Sequence, residues 1–390
     1  MQGPTRPLLA IYVVWHPEFA AGREWSDLLH QNFRRDLFAS VTGGIGLSVL
    51  ERSQAPDGQT TPLDIDPAGA EATAVVLLGD VAMAACPEWR AYVKHLSEQA
   101  SANGYRFRLF PVSFVHEALA LAPENALRVD KWSETGRKLR LKLLAKLTLQ
   151  FARMLRHLLA DVLSATGSAE ERDAYLRPVK VFLSHSKHDD GGETIALALR
   201  GYMHAEGGLN SFFDVTDIPP GMSFEQVIEH EVRQSAVVAI HTDSYSSREW
   251  CRREIIEAKK ANVPLIVANC IGDRDERGFP YMGNVPIVRM GPKRRNRLDE
   301  VIARILDEVL KDYLWKCRVK VAAITDPRVS IIPRPPELIS LAAVPNPASI
   351  PRPVLIYPDP PLSREEQRLF ESVAPHVTLR TMTEWLAGVE

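Results

Sequence analysis

The apolar positions of the chain fall into short runs separated by segments with helical spacing. Val179–Leu183, Val237–Ile240 and Val263–Ile271 are strand-length runs, and Asn210–Val215 is a further strand candidate. Between them, Glu193–Ala205 repeats Ile195, Leu197, Leu199 and Met203, and Phe224–Arg233 repeats Phe224, Val227, Ile228 and Val232. Both spacings predict helices, as do Glu249–Lys260 and the long amphipathic stretch Leu298–Leu314. Strands that alternate with helices predict a parallel sheet covered on both faces.

The first 163 residues follow the same order. Leu8–Val14 corresponds to Val179–Leu183, Ala74–Leu78 to Val237–Ile240, and Lys138–Val162 to Leu298–Leu314. Trp89 opens a helix as Trp250 does. Ile11 and Val181 lie 170 residues apart, Trp89 and Trp250 161. This near-constant offset favours a duplicated α/β unit over two unrelated ones.

Proline and small residues mark the boundaries. Eight of the 28 prolines fall between Pro327 and Pro353, a composition expected to form an extended linker that neither joins a sheet ladder nor continues a helix. Residues 164–178 mix small and charged side chains and end in Pro178, which predicts a second linker. The expected organisation is thus an α/β domain over 1–163, a linker over 164–178, a second α/β domain over 179–326, a proline-rich linker over 327–353 and a short α/β extension over 354–390. In that extension VLIYP and Val377–Arg380 are strand-like and LSREEQRLFESV has helical spacing, like the opening of a further unit that does not complete.

Composition narrows the function. The chain has 390 residues, 45% hydrophobic and 25% charged, which excludes global disorder. Lys and Arg number 47 and Asp and Glu 49, so bulk charge gives no case for nucleic acid or membrane as partner. The basic, leucine-spaced stretch 137–157 reads as a core-packed helix with a solvated basic face, and PKRRNR (292–297) as a solvated charge run. No apolar run reaches membrane-spanning length. Cys86, Cys251, Cys270 and Cys317 are dispersed with no CxxC pair, which argues against a disulfide framework or zinc ribbon and leads us to expect a reducing, cytoplasmic setting. His185, His188, Asp189 and Asp190 are close in sequence, but a polar turn is the plainer reading than a metal site.

Three elements carry candidate chemistry. VFLSHSKHDD places Ser184, His185 and Ser186 at the carboxyl end of a strand, where open α/β sheets bind ligands. FFDVTDIPPGMSF contains a stiff loop: two prolines fix φ, Gly221 permits a tight turn, and Ser223 suits a helix N-cap. In SREWCRRE, Trp250 and Glu254 stand at i and i+4 of a helix, so that the aromatic can wall the acid.

Each element alone is weak; together, in this order, the stretch 179–314 resembles a TIR (Toll/interleukin-1 receptor) domain. FLSHS is similar to the family's first-strand motif, DVTDIPPG to its BB loop, and SREWCRRE to the helix that carries the acid in the enzymatic branch. The N-terminal copy resembles a degenerate TIR or SEFIR-type domain: WHPEF (15–19) replaces the small hydroxylated loop, and Val93 stands four residues after Trp89 where the acid would be. The implied fold is α/β, with two tandem flavodoxin-like parallel-sheet domains and a proline-rich C-terminal extension.

The resemblance implies an NAD+ glycohydrolase of the kind found in bacterial antiphage defence, with NAD+ as substrate and no further cofactor or metal. Glu254 takes the catalytic role, and Ser184, His185, Ser186, Thr216, Asp217, Gly221, Phe224 and Trp250 contact substrate. Self-association through the BB loop, Asp217–Ser223, is implied for activation. The alternative function is a non-enzymatic TIR scaffold acting through homotypic contacts. Neither nucleic acid nor membrane is an expected partner.

Overall fold

The computed structural model describes residues 6–34, 45–122, 125–164, 168–188, 190–206, 210–212, 230–290, 297–344 and 352–388. They form two compact units, residues 1–176 and 177–390.

In the first unit β1 (Leu9–Trp15), β2 (Ser48–Arg52), β3 (Ala72–Gly79), β4 (Phe107–Ser113) and β5 (Leu127–Arg128) form one parallel sheet in the order β2-β1-β3-β4-β5. The central strands read as unbroken apolar runs because helices cover both faces; every residue of β3 is buried. Register is set by pairs such as Ile11 with Ala74 and Val75 with Leu109. The helices are α1 (Gly22–Phe33), α2 (Val81–Ala85), α3 (Pro87–Asn103), α4 (Gly136–Ser164) and α5 (Ala169–Leu176). Asp80 starts α2 by accepting the amides of Ala82 and Met83, and Pro87 stands at the first position of α3, where its missing N–H costs nothing.

The second unit repeats the topology. Its strands β6 (Lys180–His185), β7 (Asn210–Phe212), β8 (Ala236–His241), β9 (Leu265–Asn269) and β10 (Ile287–Arg289) run β10-β9-β8-β6-β7, which is the same 2-1-3-4-5 order read from the other edge. Its helices include α6 (Asp190–Glu206), α7 (Glu249–Lys260) and α8 (Leu298–Ala322). This is the flavodoxin-like order. Many unrelated proteins share it, so the match of the two units establishes common architecture and not common ancestry.

Three expectations require correction. Residues 164–178 are not all linker, since α5 occupies 169–176 and packs on α4. The proline-rich segment does join a ladder: β11 (Val329–Ile331) lies in the proline-free stretch between Pro327 and Pro333 and pairs in parallel with β12 (Val354–Tyr357). Proline removes an amide only at its own position, so a short gap between prolines is enough for three residues of strand. Finally, the C-terminal α/β piece is larger than 354–390, because β11 belongs to it. β11, β12 and β13 (Thr378–Thr381) form a three-stranded parallel sheet. Trp315, Val319 and Ala322 of α8, which runs two turns beyond the expected end, pack with Val354, Ile356 and Met382 in one of its cores. A second core joins Ile332, Leu355 and Tyr357 to Ala374 and Val377, just after α9 (Arg364–Val373), and α10 (Met382–Leu386) follows β13. The Ser363/Glu366 capping box starts α9 as the SREE sequence dictates.

The segment between β11 and β12 folds back on α7. Lys259 of α7, whose side chain is 3% exposed, donates to the Gly283 carbonyl at 2.9 Å and to both oxygens of Glu337 at 2.9 and 2.7 Å. Arg334 donates to the carbonyl of Val263. No helix among the described residues is long and apolar enough to cross a membrane.

Candidate functional site

In a 2-1-3-4-5 sheet the first and third strands leave in opposite directions, and the crevice beyond their carboxyl ends is the ligand-binding position. In the second unit those strands are β6 and β8. Ser184, His185 and Ser186 stand at the end of β6, and His241, Thr242, Ser244, Tyr245 and Ser246 at the end of β8 or just past it. All eight are buried. So many polar side chains in a buried place require internal partners.

The partners form two networks. In the first, Ser184 Oγ donates to Glu254 Oε2 and meets Tyr245 Oη at 2.5 Å. Glu254 comes from α7, 70 residues later in the chain, and is 5% exposed. Its neighbour on the buried stripe of α7, Cys251, points its thiol at the His185 carbonyl at 3.6 Å. Ser186 turns instead to Ser244, 2.8 Å between hydroxyls. In the second network His241 Nε2 lies 3.0 Å from Ser246 Oγ and 3.1 Å from Asp275 Oδ2. This is not a nucleophilic triad, because Ser and Asp meet the same ring nitrogen, whereas a triad uses both. It ties the segment after β9 to the end of β8. Asp243 strengthens that tie by accepting the amides of Gly272 at 2.6 Å and Asp273 at 3.0 Å. Burial works to raise the Asp243 carboxyl, but these backbone donors hold it below the usual range.

Burial raises the Tyr245 hydroxyl well above its ordinary value, and the nearby Cys251 and Glu254 push in the same direction. The phenol therefore keeps its proton throughout the physiological range.

The sequence-derived candidates separate into three groups. Ser184 and Glu254 are brought together, with His185 and Ser186 beside them. Trp250 is not the expected wall of a buried pocket: it is 42% exposed, with the Arg253 guanidinium 5.0 Å over its ring. The buried stripe of α7 runs through Cys251, Glu254, Ile255, Ala258 and Lys259, and Trp250 stands one residue off it in the first turn. Thr216, Asp217, Gly221 and Phe224, with the whole BB-loop stretch Asp217–Ser223, lie outside the described residues. Tyr245, Asp243, His241 and Asp275 were missed. For the first three the only signal was the density of hydroxyl and acidic residues in HTDSYSSRE, which reads equally well as a solvated turn, and Asp275 lies in the charged stretch DRDER.

The equivalent crevice of the first unit is filled by rings. Trp15 ends β1, and its indole lies so close to α1 that a Cβ on Gly22 would meet Trp15 Cδ1 at 2.1 Å. His16 packs on Trp89 with centroids 5.1 Å apart, and Trp89 on Tyr92 at 6.0 Å. Val93, one turn after Trp89, is 0% exposed.

Comparison with protein families matches residues 181–296 to the TIR domain. The match begins in β6, contains both polar networks and Glu254, and ends before α8. A comparison with curated proteins returned no match. The chain therefore carries a TIR domain in its second unit, a family that includes NAD+-cleaving enzymes and homotypic signalling scaffolds.

Proposed function

We propose that the TIR domain of this chain cleaves the bond between nicotinamide and ribose in NAD+. The observation that carries the reading is the buried carboxylate of Glu254, held by the Ser184 hydroxyl at the switch point of the sheet. Nicotinamide leaves NAD+ as a neutral molecule because it starts as a pyridinium cation, so no general acid is needed. Positive charge develops on the ribose as an oxocarbenium ion. One fixed carboxylate beside C1′ stabilises that charge and orients the acceptor, which is half of the two-carboxylate arrangement of glycosidases. Water as acceptor gives ADP-ribose; an adenine nitrogen of the same substrate gives a cyclic product.

At 5% exposure Glu254 is sealed from a dinucleotide. Catalysis then requires the surface above it to open, which supports a latent protomer activated by self-association, with the BB loop as the contact. The same burial favours the second reading, a scaffold in which Glu254 is a core polar residue. Nicotinamide release by the purified chain, followed across a range of protein concentrations, separates the two. Release that rises more steeply than protein concentration and vanishes in Glu254→Gln supports the enzyme; no release at any concentration supports the scaffold.

A further inference from the structure

We infer that Tyr245 is a positioning residue for Glu254, acting through Ser184 in a one-way chain of hydroxyls. The inference rests on the reading of Glu254 as the catalytic acid.

A serine hydroxyl has one proton. At Ser184 the geometry directs it to Glu254 Oε2. The remaining contact of Ser184 Oγ, with Tyr245 Oη, can then only be accepted by the serine and donated by the tyrosine. The tyrosine can hold that role because its proton does not leave. Its ring is also fixed: it is 0% exposed within the core cluster that contains Val237, Ala239 and Ile255, and it packs edge-on against His241 with centroids 5.6 Å apart. The backbone beneath it is pinned by the Tyr245 amide, which donates to the Thr242 carbonyl at 3.1 Å. Ser184 has no such stiffness of its own, since its hydroxyl turns about a single bond. Tyr245 thus decides which way Ser184 points.

Two consequences follow. Ser184, whose hydroxyl is committed to Glu254 and Tyr245, is a support for the acid and not the substrate contact that the resemblance implies. The hydroxyl chain also favours the charged form of Glu254 over the neutral one, because a donor to a carboxylate stabilises its charge. An ionised acid is what an oxocarbenium ion needs.

Other titratable groups surround this acid. Tyr281 and Glu337 come from segments packed on α7, Lys259, which Glu337 holds, is on α7 itself, and His185 and Lys180 belong to β6. Glu249, Cys251, Arg252, Arg253, Glu257 and Lys260 share its helix. Removing one hydroxyl leaves all of these in place.

The test uses the full chain and Tyr245→Phe, which keeps the ring and removes the proton donor. The carboxyl carbon of Glu254 is titrated by 13C NMR, with its signal assigned by its loss in Glu254→Gln. In Tyr245→Phe the Glu254 midpoint should rise by about one pH unit, equivalent to a tenfold shift in its ionisation constant. Nicotinamide release should lose about tenfold in kcat with KM changed less than about twofold, and the acid limb of the kcat profile should move up with the midpoint. Ser184→Ala should give a larger rise and Ser184→Thr, which keeps the hydroxyl, should restore most of it; this pair carries the test should Tyr245→Phe not fold. A Glu254 midpoint that stays put in a folded Tyr245→Phe, or in Ser184→Ala, overturns the inference. Absence of nicotinamide release from the wild-type chain overturns the enzymatic reading instead, and the NMR titration still decides whether the hydroxyl chain holds the acid.

Discussion

The carboxyl ends of the first and third strands look alike in outline in the two units and differ in filling. In the first unit Trp15, His16, Trp89, Tyr92 and Val93 stack rings and methyl groups there. In the second unit the same place holds Ser184, Ser186, Ser244, Tyr245 and Glu254, each buried and the hydroxyls bonded to one another or to the acid. Filling such a crevice with rings stabilises a fold directly, at about 1.5–3 kcal/mol for each large apolar side chain fully buried. Filling it with hydroxyls and a carboxylate contributes little net stability and carries a penalty for every group left unpaired. The second arrangement is therefore the one the proposed chemistry needs, and the first is ordinary core packing.

Removing the charge of the buried acid should give the largest effect. Glu254→Gln keeps the shape and one acceptor oxygen and removes the charge; nicotinamide release should fall at least ~10³-fold, some 4 kcal/mol of barrier, with the melting temperature little changed. Residual release within about tenfold of wild type would remove Glu254 from the catalytic role.

The converse exchange, Val93→Glu, places an acid at the matching position of the first unit with rings around it. We expect a loss of about 3–5 kcal/mol in urea unfolding and no gain of NAD+ cleavage. A variant as stable as wild type would show that the crevice of the first unit is wetter than its packing indicates.

The grip on α7 comes next in size. Glu337→Ala leaves the buried Lys259 ammonium with the Gly283 carbonyl from among its three acceptors, and should cost about 2–3 kcal/mol. Hydrogen exchange should report the loosening in the last turn of α7 ahead of the rest of the second unit. Uniform exchange across that unit would argue against a local clasp.

The smallest effect is one of acidity. Asp243 is held below the ordinary carboxyl range, so its contribution to stability is present above the unfolded value and lost as pH falls through the lower folded one. In Asp243→Asn the segment 272–277 should exchange faster near neutrality, and the difference from wild type should vanish in strong acid. A difference that persists there would mean that packing, not the carboxylate, holds the segment.

Much of this architecture was legible from the sequence. The apolar runs of β1, β3, β6 and β8 and the spacing of α7 and α8 are strong periodic signals. Glu254 stands out in the sequence through the resemblance of SREWCRRE taken with the two other motifs, and the indole of Trp250 does not wall it, since it lies off the buried stripe. The partner of Glu254 was not legible, because Ser184 is 70 residues distant and only the sheet order joins them. Tyr245 was missed because a tyrosine among serines has no periodicity to betray burial. β11 was missed because proline content was read over the whole segment, when only the spacing between individual prolines matters to a three-residue strand.

The clasp also bears on modularity. The family match ends at residue 296, yet the acid-bearing helix is tethered by Glu337 and Arg334, and the far half of α8 shares its core with the last sheet. The cassette that recombination could move between proteins is thus longer here than the domain by which it is recognised. A foreign TIR domain spliced in at the family boundaries would need a lysine where Lys259 stands, and without one Glu337 would face it as an unanswered charge.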